Sequence, residues 1–255
     1  MRRVRVIPVL LIHKGGLVKS VKFKNYKYVG DPINAVKIFN EKEVDEIIVL
    51  DIGATHEKRS PDFEKIKEIA GEAFIPLAYG GGISSINEIQ KLFYLGIEKI
   101  ILNNAVIKNP SLVTSAAKLV GSQSVVVSID VKKNLLGKYT VYAKNGSENS
   151  NCDPVSFARQ MQEAGAGEIM LNSIDRDGTY QGYDFSLIKH VSGQLSIPLI
   201  ACGGSKDIDG FYTAVQNGAS AVAAGSMFVF QRPHQAVLIS YPSQDELKAK
   251  VFAKL

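Results

Sequence analysis

The chain has 255 residues, of which 45% are hydrophobic and 22% charged, a composition that supports a large buried core and argues against disorder. The formal net charge is +5, but the lysines are scattered and no aromatic platform lies among them, which argues against nucleic-acid binding. A modest positive field instead suits an anionic, phosphate-bearing substrate.

Two cysteines, Cys152 and Cys202, are too few for a disulfide framework, and the polar start of the chain does not resemble a secretory signal. No apolar run approaches the length of a membrane-spanning helix. These features together predict a cytoplasmic protein that does not insert into a membrane.

Eight short β-branched apolar runs predict strands, at residues 4–11, 47–52, 75–78, 99–102, 124–131, 168–174, 197–201 and 221–224. Segments of helical length and spacing, among them 32–39, 87–95, 154–163 and 209–216, separate these runs. The alternation predicts an α/β protein with a (β/α)8 TIM barrel, and a doubly wound open sheet is the alternative.

Two segments are longer than the connections that a simple alternation of strands and helices requires. Residues 15–30 form a long polar and aromatic stretch after the first strand, which we interpret as an active-site lid. Residues 134–151 include an alternating apolar segment and the turn Asn145-Gly146, and they predict a short hairpin after the fifth strand.

The chain also repeats itself at an offset of 122 residues. Under this offset Asp31-Pro32 falls on Asp153-Pro154, Gly81-Gly82 on Gly203-Gly204, and Gly96 on Gly218. We therefore expect one domain over residues 1–255, built from two repeated (β/α)4 halves at about 1–121 and 122–255.

Glycine pairs follow the third and seventh predicted strands, and short polar residues follow the fourth and eighth. In a (β/α)8 barrel these strand ends lie at the catalytic face, where bare backbone NH groups accept anions. We expect one phosphate site in each half, although the glycines alone are also explained by tight turns. The candidate residues are Gly81, Gly82, Asn103 and Asn104 in the first half, and Gly203, Gly204, Gly225 and Ser226 in the second.

Between these sites Asp130 ends the fifth predicted strand, where a carboxylate is able to act as a general acid or base. Asp177 and Gly178 lie in a polar loop after the sixth strand and are interpreted either as ligand-binding residues or as a turn. Asp51 serves the site or caps the next helix. The four histidines lack metal-site spacing, and no nucleotide-binding motif occurs, so no metal or cofactor is predicted.

Four charged residues, Arg5, Glu46, Lys99 and Glu168, lie near the starts of the first, second, fourth and sixth strands. A solvated rim explains each of them alone. If they form a ring across the bottom of the barrel, its charges must be paired, because unpaired buried ions are costly. A paired ring at this position would suggest a gate.

The motifs resemble the cyclase (HisF) subunit of imidazole glycerol phosphate synthase over nearly the whole chain. They are Gly30-Asp31-Pro32, Gly80-Gly81-Gly82-Ile83, Gly121-Ser122-Gln123, Ser128-Ile129-Asp130 and Asp175-Arg176-Asp177-Gly178-Thr179. The resemblance implies two catalytic aspartates, a substrate with two phosphates, and ammonia from a glutaminase (HisH-like) subunit docked at the barrel bottom. It also implies that the four-residue charged ring is the ammonia gate.

The chain departs from this family at one catalytic position, where Leu11 replaces the expected first aspartate. The aromatic run from Asn25 to Pro32 is similar to a paralogous branch that converts acetamido to acetamidino sugars in surface polysaccharide pathways. The leading interpretation is an ammonia-accepting subunit of that branch. The alternatives are the cyclase of histidine biosynthesis and a non-catalytic barrel that only binds a phosphorylated ligand.

Overall fold

The structure is a computed structural model that describes residues 3–134 and 136–255. Its central feature is a closed barrel of eight parallel strands. In chain order they are β1 Arg5–His13, β2 Ile47–Asp51, β3 Leu77–Gly80, β4 Lys99–Leu102, β5 Val125–Lys133, β6 Glu168–Ser173, β7 Leu199–Cys202 and β8 Ala221–Ala224.

Each strand pairs with the next one in this series, and β8 pairs with β1 through Arg5 and Ala221, which closes the barrel. The predicted (β/α)8 barrel is confirmed, and the open-sheet alternative is wrong. β3 and β7 begin two residues later than predicted, directly after Pro76 and Pro198. Proline has no NH to contribute to the strand ladder, so each strand starts beyond it.

Helices surround the barrel between successive strands. The α-helices are Pro32–Glu41, Phe63–Gly71, Ile86–Tyr94, Asn104–Lys108, Ser111–Val120, Pro154–Glu163, Phe185–Ser192, Ile208–Gln216, Ser226–Val229 and Gln244–Lys250, with 3-10 turns at Ser122–Ser124 and Phe252–Lys254. The first turns repeat at the offset found in the sequence. Asp31 and Asp153 each cap a helix that begins with proline, and Asp62 and Asp184 cap the following pair.

The apolar core has two layers. The larger layer lies between the strands and the helices, while the smaller one fills the barrel itself. The side chains inside the barrel include Ile7, Ile48, Val126, Met170 and Ile200, so the interior is packed with apolar groups between its two ends.

Each half carries an antiparallel hairpin after its first strand. The segment predicted as a lid forms the strands Gly16–Val21 and Lys24–Gly30, which extend β1. The second hairpin, Tyr139–Ala143 with Glu148–Asn149, extends β5 as predicted. A third small pair joins Phe230–Gln231 to Ala236–Val237. No helix within the described residues is long and apolar enough to cross a membrane.

Candidate active site at the barrel mouth

The carboxyl ends of the strands surround a cavity at the mouth of the barrel. Most of the predicted site residues line it, including Asp130 from β5, Asn103 after β4 and Asp177 after β6. Leu11 and Lys19 line the same cavity from β1 and the first hairpin. The mouth therefore brings together titratable groups from both halves of the chain.

Asp130 is the central carboxylate of this cavity. The Nδ2 atom of Asn103 donates to Asp130 Oδ2 at 3.1 Å and to the carbonyl of Ser128 at 2.9 Å. Burial raises the pKa of Asp130 to about 7, against the opposing effect of hydrogen bonds from Asn103 and Asn172. A carboxyl with a pKa near neutrality is suited to gain and lose a proton during a reaction.

The sequence had suggested that Asp130 is the last residue of its strand, but the strand continues beyond it. β5 continues to Lys133 because its end pairs with the second hairpin, with Asp130 opposite Tyr142. The side chain still faces the mouth, since Asp130 lines the cavity.

Leu11 occupies the position in β1 that Asp130 occupies in β5. Leu11 pairs with Leu50 in β2, and Asp130 pairs with Asn172 in β6. Leu50 and Asn172 are themselves 122 residues apart, the offset of the repeat. The strand register thus relates Leu11 to Asp130 without reference to any sequence alignment. Because three strands lie between β1 and β5 in either direction around the barrel, the two residues face each other across the mouth.

Lys19 is a site residue that the sequence interpretation missed. Its side chain is only 3% exposed, and Nζ donates to the carbonyl of Val9. Burial lowers the pKa of Lys19 to about 8, although the charge of Asp177 acts in the opposite direction. The available signal was a lysine inside the otherwise apolar or small run Leu17-Val18-Lys19-Ser20-Val21, which predicts a buried cation.

Asp177 attaches the first hairpin to the mouth. Ser20 Oγ donates to Asp177 Oδ2 at 3.0 Å, and the Lys22 NH donates to the Asp177 carbonyl at 2.9 Å. Burial raises the pKa of the Asp177 carboxyl, while the bond from Ser20 lowers it. The predicted lid segment is thus held over the cavity, with Lys19 directed inward.

The Asp51 carboxylate forms hydrogen bonds with residues of the turn that follows β2. It forms two bonds with Arg59, at 2.7 and 2.9 Å, and accepts the NH groups of Gly53 and Ala54. These contacts stabilise the turn after β2. Of the two roles considered for Asp51, the helix cap is wrong, because Asp62 caps the next helix. Asp51 lines the mouth cavity, but the hydrogen bonds of its carboxylate all lie within the turn.

The two glycine loops adopt matching conformations. Gly82 and Gly204 have φ values of +73° and +96°, in the left-handed region that favours glycine. A Cβ atom at Gly82 would lie 2.8 Å from the Arg59 carbonyl, and one at Gly204 would lie 2.5 Å from the Gly182 carbonyl. The backbone therefore requires glycine at both positions whether or not an anion binds.

The residues predicted for the two phosphate sites line two cavities, and Gly81 and Asn103 contribute to both. A second cavity is lined by Gly81, Gly82, Asn103 and Asn104, together with the cations Lys58 and Lys108. Gly203, Gly204, Gly225 and Ser226 line the mouth cavity beside Lys19, as does Gly178. Each group thus combines bare backbone with a nearby positive charge, which is the composition of an anion site.

The four charged residues at the opposite end form a closed ring. Arg5 Nη1 lies 2.5 Å from Glu46 Oε2, and Arg5 also pairs with Glu168. Lys99 Nζ lies 3.0 Å from both Glu46 Oε2 and Glu168 Oε2. The two glutamates are 2% and 6% exposed, so a solvated rim does not describe them. The ring carries two positive and two negative charges and covers the lower end of the apolar interior.

A (β/α)8 barrel with a polar cavity at its mouth and a neutral ion-pair ring at its base defines the class of this protein. Residues 5–233 match the family model described as "Histidine biosynthesis protein". The chain belongs to this family, and its relatives place it among the HisF-like members.

Three relatives illustrate the range of similarity. The chain is 50% identical to hisF2 of Pseudomonas aeruginosa, a provisionally named imidazole glycerol phosphate synthase subunit, over 97% of this chain and 99% of the relative. It is 47% identical to the provisionally named hisF3 of Vibrio vulnificus, over 97% and 96%. Its identity to the imidazole glycerol phosphate synthase subunit HisF of Alkaliphilus metalliredigens is 40%, over 88% and 89%.

Proposed function

We propose that this chain is the ammonia-accepting barrel subunit of a glutamine amidotransferase complex and that it serves acetamidino-sugar formation in surface polysaccharide biosynthesis. The observation that carries the proposal is Leu11 at the position equivalent to Asp130, in a chain that retains the ring at the base and both glycine loops. A leucine cannot transfer a proton, so the mouth lacks the first of the two aspartates that the resemblance to the cyclase implies for ring closure.

Ammonia enters through the ring of Arg5, Glu46, Lys99 and Glu168, which acts as the gate. The apolar interior beyond the ring favours neutral ammonia over ammonium, because a bare ion is costly to bury there. At the mouth, the nitrogen of ammonia bonds to the acyl carbon of the acetamido group and the acyl oxygen leaves as water, while Asp130 carries a proton from the nitrogen to that oxygen. A pKa near 7 makes the Asp130 carboxyl effective in that role at neutral pH.

The partner is a glutaminase (HisH-like) subunit bound at the base of the barrel. Large hydrophobic side chains are exposed at this end, where the chain runs from helices into strands. Phe74 precedes β3 and is 84% exposed, and Tyr94 precedes β4 and is 91% exposed. Exposed aromatic residues are common anchors of protein interfaces. The reaction is proposed to take place in the cytoplasm.

The substrate is a phosphorylated small molecule held by one or both glycine loops. Lys58 and Lys108 lie at the first loop and Lys19 at the second, so each end of the ligand meets a positive charge. No nucleic-acid or membrane partner is part of the proposal.

A second candidate is the imidazole glycerol phosphate synthase cyclase of histidine biosynthesis. The name of the Alkaliphilus relative favours it, as do Asp130 and the paired glycine loops. A non-catalytic barrel is a weaker candidate, because a scaffold has no use for a buried carboxyl with a pKa near 7.

The substitution Leu11→Asp separates the two enzyme candidates. With free ammonium and the cyclase substrate, the wild-type protein should form imidazole glycerol phosphate slowly or not at all. Leu11→Asp should raise this rate, by up to about 10²-fold to 10⁴-fold if the second carboxylate restores acid–base catalysis. The rate is measured from the appearance of the imidazole product.

Leu50→Asp is the matched control, because it adds a carboxylate to the same wall at the position equivalent to Asn172 rather than Asp130. It should not raise the cyclase rate. Rapid cyclisation by the wild-type protein, abolished by Asp130→Asn, would reject the acetamidino-sugar proposal in favour of histidine biosynthesis.

A further inference from the structure

The two predicted phosphate sites differ at one pair of equivalent residues. Lys58 and Tyr180 occupy the same position in the two halves under the 122-residue offset, as do Gly82 and Gly204. Lys58 lines the second cavity with Gly82, and Tyr180 lines the mouth cavity with Gly204. Both residues have left-handed backbones, with φ values of +52° and +58°, which are uncommon outside glycine. One backbone geometry therefore places a lysine at the first-half site and a tyrosine at the second-half site.

Tyr180 is held in place without contributing a charge to its site. Its hydroxyl donates to the carbonyl of Ser226 at 3.0 Å, and the Arg232 guanidinium lies 4.8 Å from the centre of its ring. Burial raises the pKa of the Tyr180 hydroxyl, so the side chain stays neutral. Arg232 is not among the described residues that line the mouth cavity. Tyr180 therefore supports the loop at Ser226 but adds no positive charge to it.

Lys58 belongs to a cluster of cations at the first-half site. The second cavity is lined by Lys58, Arg59 and Lys108, and none of the described residues that line it is an aspartate or a glutamate. Arg59 is paired with Asp51, but neither lysine forms an ion pair with a described residue. An anion held at this site is therefore attracted by two lysines whose charges are not engaged elsewhere.

The second-half site has a different balance of charge. Among the described residues that line the mouth cavity, Lys19 is the one cation, and three carboxyl groups line it as well, those of Asp51, Asp130 and Asp177. Asp177 lies close enough to Lys19 for its charge to affect the pKa of the lysine. A phosphate with two negative charges is therefore attracted by one lysine at this site and repelled by any ionised carboxyl group nearby.

We propose that Lys58 and Tyr180 fix the direction in which the ligand lies across the mouth, with its more negatively charged end at the first-half site. In a barrel of two equivalent halves, a ligand with an anionic group at each end has two possible orientations. The lysine at position 58 and the tyrosine at position 180 remove this equivalence, so one orientation has the lower energy. This inference rests on the proposed function, since the glycine loops must bind the ligand. It adds the residues that decide which part of the ligand faces Asp130.

Titration with inorganic phosphate tests the inference, because this probe is small enough to occupy each site separately. In the ¹⁵N-labelled chain, the amide resonances of Gly82 and Gly204 report on the two sites independently. At low salt the dissociation constant measured at Gly82 should be lower than that at Gly204 by at least about threefold, because more unpaired positive charge lies at the first-half site. The difference should shrink at about 1 M salt, where charges more than about 3 Å apart are screened.

Exchange of the two residue types should move the ratio of the dissociation constants toward one. Tyr180→Lys should tighten phosphate binding measured at Gly204, and Lys58→Tyr should weaken the binding measured at Gly82. The matched controls Tyr180→Phe and Lys58→Arg keep the charge at each position and should leave the ratio unchanged. Tyr180→Phe also removes the bond to Ser226, so it separates the effect of charge from a purely structural role. If Tyr180→Lys does not fold, as judged by circular dichroism, Lys58→Tyr, at an exposed position, carries the test.

Equal phosphate affinities at the two sites of the wild-type protein would overturn this inference while leaving the phosphate loops in place. A ratio that neither Tyr180→Lys nor Lys58→Tyr changes would overturn it as well. If phosphate shifts neither amide resonance, the inference and the phosphate loops of the proposed function are wrong together. Failure of the acetamidino-sugar assignment has a different signature, rapid cyclisation by the wild-type protein, which the phosphate titration does not involve.

Discussion

The Asp130 carboxyl makes a measurable contribution to the pH dependence of stability. Burial raises its pKa from 3.8 to about 7. The native protein therefore holds this proton more tightly than the unfolded chain, and stability falls as the pH rises from about 4 to about 7. The full difference corresponds to about 4 kcal/mol, and water in the open mouth reduces the expected penalty to about 2 kcal/mol. Asp130→Asn removes this penalty.

The prediction is tested by urea unfolding of the wild-type protein and Asp130→Asn at pH 4.5 and pH 8. The variant should be more stable by about 2 kcal/mol at pH 8, because asparagine accepts the bond from Asn103 without a charge. The two proteins should differ little at the lower pH, where Asp130 is protonated in the native state. A variant that is less stable than wild type at pH 8 would refute the conclusion that ionisation of the buried Asp130 carboxyl destabilises the native protein.

Two further predictions concern the base of the barrel. Lys99→Met leaves Glu46 and Glu168 with Arg5 as their only cation in the ring, and it should lower the free energy of unfolding, measured in urea at pH 7, by about 3 kcal/mol. The control Lys37→Met breaks an exposed ion pair and should lower it by less than about 1 kcal/mol. Phe74→Glu and Tyr94→Glu should weaken binding of the partner glutaminase in calorimetry without loss of thermal stability. Leu136→Glu, at a position that is 93% exposed in the loop between β5 and the second hairpin, should leave this binding unchanged. If both aromatic variants bind the partner with unchanged affinity, the hypothesis that the glutaminase docks at the base of the barrel is wrong.

The sequence was most informative where a pattern has a single physical cause. Continuous apolar runs occur in buried parallel strands, and eight of them separated by helical segments admit few folds. The repeat offset was equally reliable, because Gly81-Gly82 and Gly203-Gly204 occupy equivalent turns that a side chain would obstruct. The starts of β3 and β7, directly after Pro76 and Pro198, were missed because hydrophobicity gives no information about the absent proline NH.

Some contacts between side chains could not be predicted from the sequence. Lys19 belongs to the mouth only because its hairpin folds back onto Asp177, through a hydrogen bond from Ser20, which lies 157 positions away. The role of Asp51 likewise depends on the approach of Arg59, which no periodicity indicates. The four charged residues at the base were identified individually, but their mutual pairing required the barrel to bring β1, β2, β4 and β6 together.

The two ends of the barrel differ in how freely a single residue can change. At the base, two glutamates balance Arg5 and Lys99, and loss of either glutamate would leave one positive charge in excess near the apolar interior. At the mouth, a buried carboxylate such as Asp130 is costly by itself, so replacement of its counterpart by Leu11 relieves strain rather than creating it. A change of chemistry is therefore accessible at the mouth by one substitution, whereas one substitution in the ring leaves a charge near the apolar interior unbalanced. This asymmetry fits the proposed function, in which the ring at the base is kept while Leu11 occupies the position of one expected catalytic aspartate.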